Sequence, residues 1–341
     1  MEHYAPHPKA VFEGYYSKFD LPNGARLAII ISSVPDAKDS PFVISFTYVP
    51  LDGAIYQREF NVPLIERNTT GPGNAFELRV PGVGHMTTHA DGTSHFHLQH
   101  EDFSFSAQTF SHWPWSARKS TPEGIFVYLP LPLHWHVHSL GSSCRLDVRM
   151  AGGKRIARTF STSTATVHQE KNWAHNFPAA HIWLQARSED GAKTVCCAGG
   201  KILGMEAFLC GYRSPTARNR ANVDFAPPFS LKVLGLSPFM TVRIDWESRT
   251  VALEFRSLTR KMEIQAQAPK GTFFSLSAPF QDGHKENLLA ESFKAEIRVK
   301  VYESWWGVGA WRLIEEEKFE GASLEFGGEY YGQAGTDNKR N

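Results

Sequence analysis

Apolar and polar positions alternate along much of this chain, in short runs broken by Gly, Pro, Asn and Asp. In residues 241–246, Val242, Ile244 and Trp246 share one face and Thr241, Arg243 and Asp245 the other. In residues 294–302, Ala295, Ile297, Val299 and Val301 lie opposite Lys294, Glu296, Arg298, Lys300 and Tyr302. A period of two marks a strand with one buried face. Half-solvated strands of this kind pair antiparallel. The same reading predicts strands at 26–32, 42–49, 76–80, 94–99, 103–110, 125–129, 135–140, 144–150, 181–187 and 193–198. In the second half it predicts 230–234, 250–257, 262–268, 293–303 and 310–319. No long amphipathic helix stands out. Many short strands with turn punctuation define an all-β chain of sandwich or barrel type, not a parallel α/β sheet.

The chain has 341 residues. A single core stops growing at roughly 250–300 residues, so two domains are expected. The glycine-rich turn at 151–154 and the polar stretch at 213–224 are the natural breaks. The expected division is an N-terminal β domain over 1–210, holding most cavity residues, and a C-terminal β-barrel domain over 211–331. The polar, Gly-rich tail at 332–341 is expected to fray.

Composition narrows the function. Lys plus Arg is 36 and Asp plus Glu is 35, with no basic block, which argues against a nucleic-acid partner. Aromatics reach 13%, which suits strands and can wall an apolar pocket, although an ordinary core uses them equally well. None of the spacings among Cys144, Cys196, Cys197 and Cys210 is C-x-x-C, so structural zinc and a disulfide framework are not expected. Buried thiols fit a reducing, cytoplasmic setting. The opening residues carry no basic start followed by an apolar run, so no signal peptide is expected. The longest apolar stretches, such as 27–31, are far short of the ~20 residues of a membrane helix. Peripheral membrane contact stays open.

Three groups of residues could carry chemistry. His95-Phe96-His97, with His100 nearby, and His134-Trp135-His136-Val137-His138 each place imidazoles two apart, on one face of a strand. Metal ligation, cavity lining and a structural role are all open for them. The run Glu170-Lys171-Asn172-Trp173-Ala174-His175-Asn176-Phe177-Pro178 crowds charge, amide and aromatic beside turn residues. A buried Glu without a cation has a raised pKa and can act as a general acid. A tight turn held by a salt bridge and a Trp plug explains the run equally well. Glu13 sits among aromatics in Phe12-Glu13-Gly14-Tyr15-Tyr16, as a cavity group or as a strand residue paired with Arg or Lys. There is no G-x-G-x-x-G, no phosphate-binding P-loop and no G-x-S-x-G elbow, which removes the usual nucleotide and Ser-hydrolase readings.

Four regions in order resemble the tocopherol cyclase family, within the two-domain calycin-like proteins that include carotenoid hydratase and fungal Diels–Alderases. Residues 11–18, Val-Phe-Glu-Gly-Tyr-Tyr-Ser-Lys, look like its opening F-E-G-W-Y-x-K. Residues 132–138 are similar to its P-x-H-W-Q strand. Residues 170–178 are close to its E-K-N-W-G-x-x-F-P, and 181–185 follow like W-F-W-x-Q. The fourth region is 291–303. Tyr15 stands where the family usually has Trp, and Ala174 where it has Gly, which points to a changed substrate in secondary metabolism.

The resemblance implies two lipocalin- or calycin-like antiparallel barrels or sandwiches and a cofactor-free enzyme. It implies closure of a cyclic ether on a hydrophobic isoprenoid or polyene bearing a hydroxyl or quinone, by proton-triggered addition of the hydroxyl to an alkene. A pericyclase in the same pocket, or a non-catalytic lipophile carrier, are the alternatives. The expected catalytic set is Glu170, Lys171, Asn172, Glu13, His134 and His136. The expected substrate walls are Trp173, Trp135, Trp183, Tyr15, Tyr16, Phe177 and His175. No cofactor or metal is assigned.

Overall fold

A computed structural model describes residues 4–116, 121–128, 131, 133–159, 164–175, 177–215, 221–305 and 308–335. The chain forms two β units. The first comprises residues 1–177 and 279–284, and the second 178–278 and 285–339.

In the first unit the strands are β1 (Phe12–Asp20), β2 (Arg26–Ser33), β3 (Phe42–Val49), β4 (Tyr56–Asn61), β5 (Glu66–Thr69) and β6 (Phe76–Val80). They continue with β7 (Gly84–Thr88), β8 (Ser94–Gln99), β9 (Phe103–Thr109), β10 (Leu133–Met150), β11 (Arg155–Arg158) and β12 (Ala165–Ala174). The sheet order is β4-β3-β2-β1-β12-β10-β9-β8-β7-β6-β5, with β11 beside β10. Every pairing with a described register is antiparallel, as one-face alternation requires. Strand β8 shows the pattern plainly. Ser94, Phe96 and Leu98 are buried, while His95, His97 and Gln99 are exposed. The buried faces supply one core that includes Phe19, Leu27, Ile29, Phe46, Phe76, Phe96 and Phe105. Each such side chain contributes about 1.5–3 kcal/mol by leaving water.

The second unit holds β13 (Ala180–Arg187), β14 (Thr194–Ile202), β15 (Met205–Arg213), β16 (Val223–Phe225), β17 (Leu231–Val233) and β18 (Met240–Asp245). It ends with β19 (Thr250–Arg256), β20 (Arg260–Gln267), β21 (Phe274–Phe280), β22 (Gly283–Trp305) and β23 (Val308–Gly328). Its order is β16-β15-β14-β13-β23-β22-β20-β19-β18. Leu184, Phe255, Ile264, Val299 and Leu324 belong to its core.

The division differs from the expected 1–210 and 211–331. Strand β13 pairs with β23, Leu184 opposite Leu324, and β14 pairs with β13 and β15. Residues 178–210 are therefore built into the second sheet, while 279–284 belongs to the first unit. The expected strand at 125–129 is also corrected within its described part. Gly124–Tyr128 is a 3₁₀ turn, entered through Gly124 at φ 59°. Part of the expected fraying tail is tied down. Ala334 N–H donates to Tyr331 O at 3.0 Å, and Gly335 N–H donates to Asn287 O at 2.8 Å. Residues 336–341 lie outside the described residues. All four cysteines are buried, and none is joined in a disulfide. No helix among the described residues is long and apolar enough to cross a membrane.

Candidate active site

Strands β1, β12 and β10 lie side by side and carry nearly all of the expected site. Their register sets Glu13 opposite Trp173 and Trp173 opposite His134. One pair further along, Tyr15 faces Lys171 and Lys171 faces His136. Period two therefore gathers Glu13, Tyr15, Lys171, Trp173, His134 and His136 on one face. The intervening residues occupy the other face. Ser32, Gly14, Asn172 and Trp135 form one row across β2, β1, β12 and β10. Tyr16 and Glu170 form the next, followed by Lys18 and His168. The run Glu170-Lys171-Asn172-Trp173, compact in sequence, is split by its own strand into two sites.

On the first face, Lys171 is fully buried against Glu13, with Nζ 2.5 Å from Oε1. Its ammonium also reaches Tyr4 O at 3.4 Å, the Ala5 carbonyl, and His7 Nδ1 at 2.7 Å. An ammonium only donates, so His7 Nδ1 accepts. His7 N–H donates to Glu13 Oε1 at 2.7 Å, and Arg67 Nη1 stands 3.6 Å from Oε2. Burial pushes the Glu13 carboxyl up, but the Lys171 charge and the hydrogen bonds from His7 and Lys171 outweigh it and hold the pKa at about 2. Glu13 is thus an anion at neutral pH. Trp173 stacks with His7 at 4.0 Å between centroids and with His134 at 5.0 Å. His134 Nδ1 pairs with Glu123 Oε2 at 2.9 Å, and Glu123 Oε1 accepts from Trp135 N–H at 2.5 Å.

The segment from Tyr4 to His7 is a strap laid over this face. Tyr4 is fully buried, stacked on His138 at 4.0 Å and edge-on to Tyr15 and Phe76. His138 Nε2 donates to Gly92 O at 2.8 Å, and burial pushes this imidazole well below its ordinary pKa. It is a neutral structural histidine.

The second face is arranged differently. His168 Nε2 and Glu170 Oε2 share a hydrogen bond of 2.8 Å, and both side chains are buried. Asn172 rests on β1 because Gly14 has no side chain: a Cβ there would meet Asn172 Oδ1 at 2.8 Å. Ser32, in the same row, donates to His284 Nε2 at 2.7 Å. His284 Nδ1 donates to Ser40 O at 2.6 Å, which fixes its tautomer. Burial lowers the His284 pKa.

The remaining expected residues scatter. Trp183 lies on β13 in the second unit. His175 is exposed beyond the end of β12. Phe177 is half-buried against Phe12 and Phe280. Asn176 and Pro132 lie outside the described residues. His100 stacks on Phe60 at 4.2 Å. Sequence reasoning missed His7, Arg67, Glu123, His168 and His284. His168 alone had a local signal, standing two residues before Glu170 on a strand.

No family model matches the sequence, and no curated protein matches it. Solved structures match its fold. CghA with Sch210972 aligns over 93% of this chain and 88% of its own, with a TM-score of 0.55 and 14% identity. Kievitone hydratase from Nectria haematococca aligns over 96% and 91%, with a TM-score of 0.54 and 7% identity. A candidate AttH from Nitrosomonas europaea aligns over 95% of both chains, with a TM-score of 0.53 and 12% identity. Two antiparallel β units are the coarser part of the fold that the sequence resemblance implied.

Proposed function

We propose that the chain is a cofactor-free enzyme that closes an oxygen heterocycle on a hydrophobic isoprenoid or polyene by proton-first addition of a hydroxyl to a carbon–carbon double bond. The observation that carries this reading is the buried His168–Glu170 pair at 2.8 Å, beside Asn172 and Tyr16 on one face of β1 and β12. The pair gives its shared proton to an alkene carbon. The substrate hydroxyl then captures the cation, and the hydroxyl proton returns to the pair, so the reaction is redox-neutral. Asn172 orients the oxygen, and the aromatic rings of Trp135 and Tyr16 stabilise the cation without attacking it. Lys171 is already engaged by Glu13, His7 and two carbonyls. With Glu13 it serves as the electrostatic frame of β1 and β12 instead of donating the proton.

One fold neighbour supports this choice. It is named a hydratase, and hydration of an alkene shares the proton-first step with ether-forming cyclisation. In this reading the two sheets are calycin-like barrels, and the setting is cytoplasmic.

The test is Glu170→Gln and His168→Asn assayed on a panel of prenylated phenols and polyenols in D₂O. Turnover is expected to fall about 10²–10⁴-fold with the fold retained, and the wild-type product to carry one carbon-bound deuterium. Near-normal turnover of E170Q overturns the assignment. Turnover without deuterium transfer selects the pericyclic alternative, and tight binding without turnover selects the carrier.

A further inference from the structure

The outer face of the β7–β8 hairpin carries imidazoles that this reaction does not use. His95 and His97 lie two apart on β8, both exposed, while their neighbours Phe96 and Leu98 point into the core. His85 on β7 is the direct cross-strand partner of His97. The His85 ring lies 5.9 Å, centroid to centroid, from both His95 and His97. One imidazole thus stands next to two others on a rigid two-stranded platform.

The neighbouring strands leave this face open to a cation. On β6, Arg79 pairs in register with His85, but its Nε is held 2.9 Å from Glu77 Oε1, so its charge is balanced. On β9, Ser106 and Gln108 face His97 and His95 and bring no charge. His89 lies one residue beyond β7. Burial, then the nearby His85, His97 and His89, hold the His95 pKa below its ordinary value.

We propose that His85, His95 and His97 form a surface site for a divalent transition metal of the zinc class. Three imidazoles from two paired strands would occupy three positions of a tetrahedral ion, with water in the fourth. His95 and His97 are exposed and His85 is half-buried, and their side chains can turn about χ1 and χ2 to bring their nitrogens to about 2.0–2.1 Å from the ion without moving the backbone. The claim is independent of the cyclase reading, because the site sits on a different strand pair and uses none of its residues.

The experiment is titration of the full-length, tag-free chain with ZnCl₂ at pH 7.5, followed by calorimetry, beside H97A, H85A and the double variant H95A/H97A. Circular dichroism checks that the substitutions leave the fold intact. Cu(II) electron paramagnetic resonance reports the nitrogen ligands. The expected result is one Zn²⁺ per chain. Affinity should fall at least about tenfold in H97A and in H85A and vanish in the double variant, with nitrogen coupling in the wild-type spectrum. Binding that survives in H95A/H97A, or no saturable binding by the wild type, overturns the proposal.

Discussion

Glu13 illustrates how much one residue can decide. Its carboxylate is buried, and its pKa of about 2 lies below the unfolded value of 4.5. A depressed carboxylate stabilises the fold above its unfolded pKa, and that contribution is lost as the pH falls through the folded value. The difference corresponds to about 3 kcal/mol, present above roughly pH 5 and gone near pH 2. Glu13→Gln should flatten the acid limb of the Tm-against-pH curve. It should also cost about 3 kcal/mol or more at neutral pH, because Lys171 stays buried without its counter-ion. Urea denaturation at pH 7 and pH 3 measures both, and an unchanged acid limb would remove Glu13 from this role. The sequence pointed to a polar Glu13, and pairing with Lys or Arg was one of its two readings. The partner's identity was out of reach, because Lys171 lies far along the chain and its other acceptors, Tyr4, Ala5 and His7, come from a segment with no strand pattern.

At the scale of an element, alternation is the organising fact. A strand sends Glu170 and Asn172 one way and Lys171 and Trp173 the other. The E-K-N-W run was visible in the sequence, yet its division into two faces needed β12 to be recognised as a strand, and no run of clear alternation marks it. Gly14 tests the second face. Gly14→Ala puts a methyl against the Asn172 amide. The amide is the end of a movable side chain, so stability should drop by only about 1 kcal/mol. Turnover should fall about tenfold or more as the oxygen loses its guide. Steady-state kinetics beside a melting curve separate the two effects, and equal kcat in G14A would argue against Asn172 as an orienting group. The strap is tested by Tyr4→Ala. Removing a fully buried ring stacked on His138 should cost about 3–5 kcal/mol by urea denaturation.

For the whole molecule, strand spacing foretold two antiparallel domains but misplaced their border. Periodicity marks where strands lie, not which strand pairs with which, and only the β13–β23 ladder assigns 178–210 to the second sheet. The same limit hid the return of 279–284 to the first unit. His284 bridges Ser32 and Ser40 there. In the full chain, His284→Ala should raise hydrogen exchange in peptides covering β2 and the 34–41 turn and leave β18–β20 unchanged. Equal increases in both regions would show that 279–284 is not part of the first unit's stability.

The strap also has a meaning in time. Residues near the start of the chain cap a lysine located more than 160 positions later. During synthesis at roughly 5–20 residues per second, on the order of ten seconds or more separates the two. Throughout that wait the carbonyls of Tyr4 and Ala5 have no ammonium to receive. The first unit therefore finishes assembling only after its twelfth strand leaves the ribosome, and the strap, made long before that strand, is among the last segments to be fully tied down.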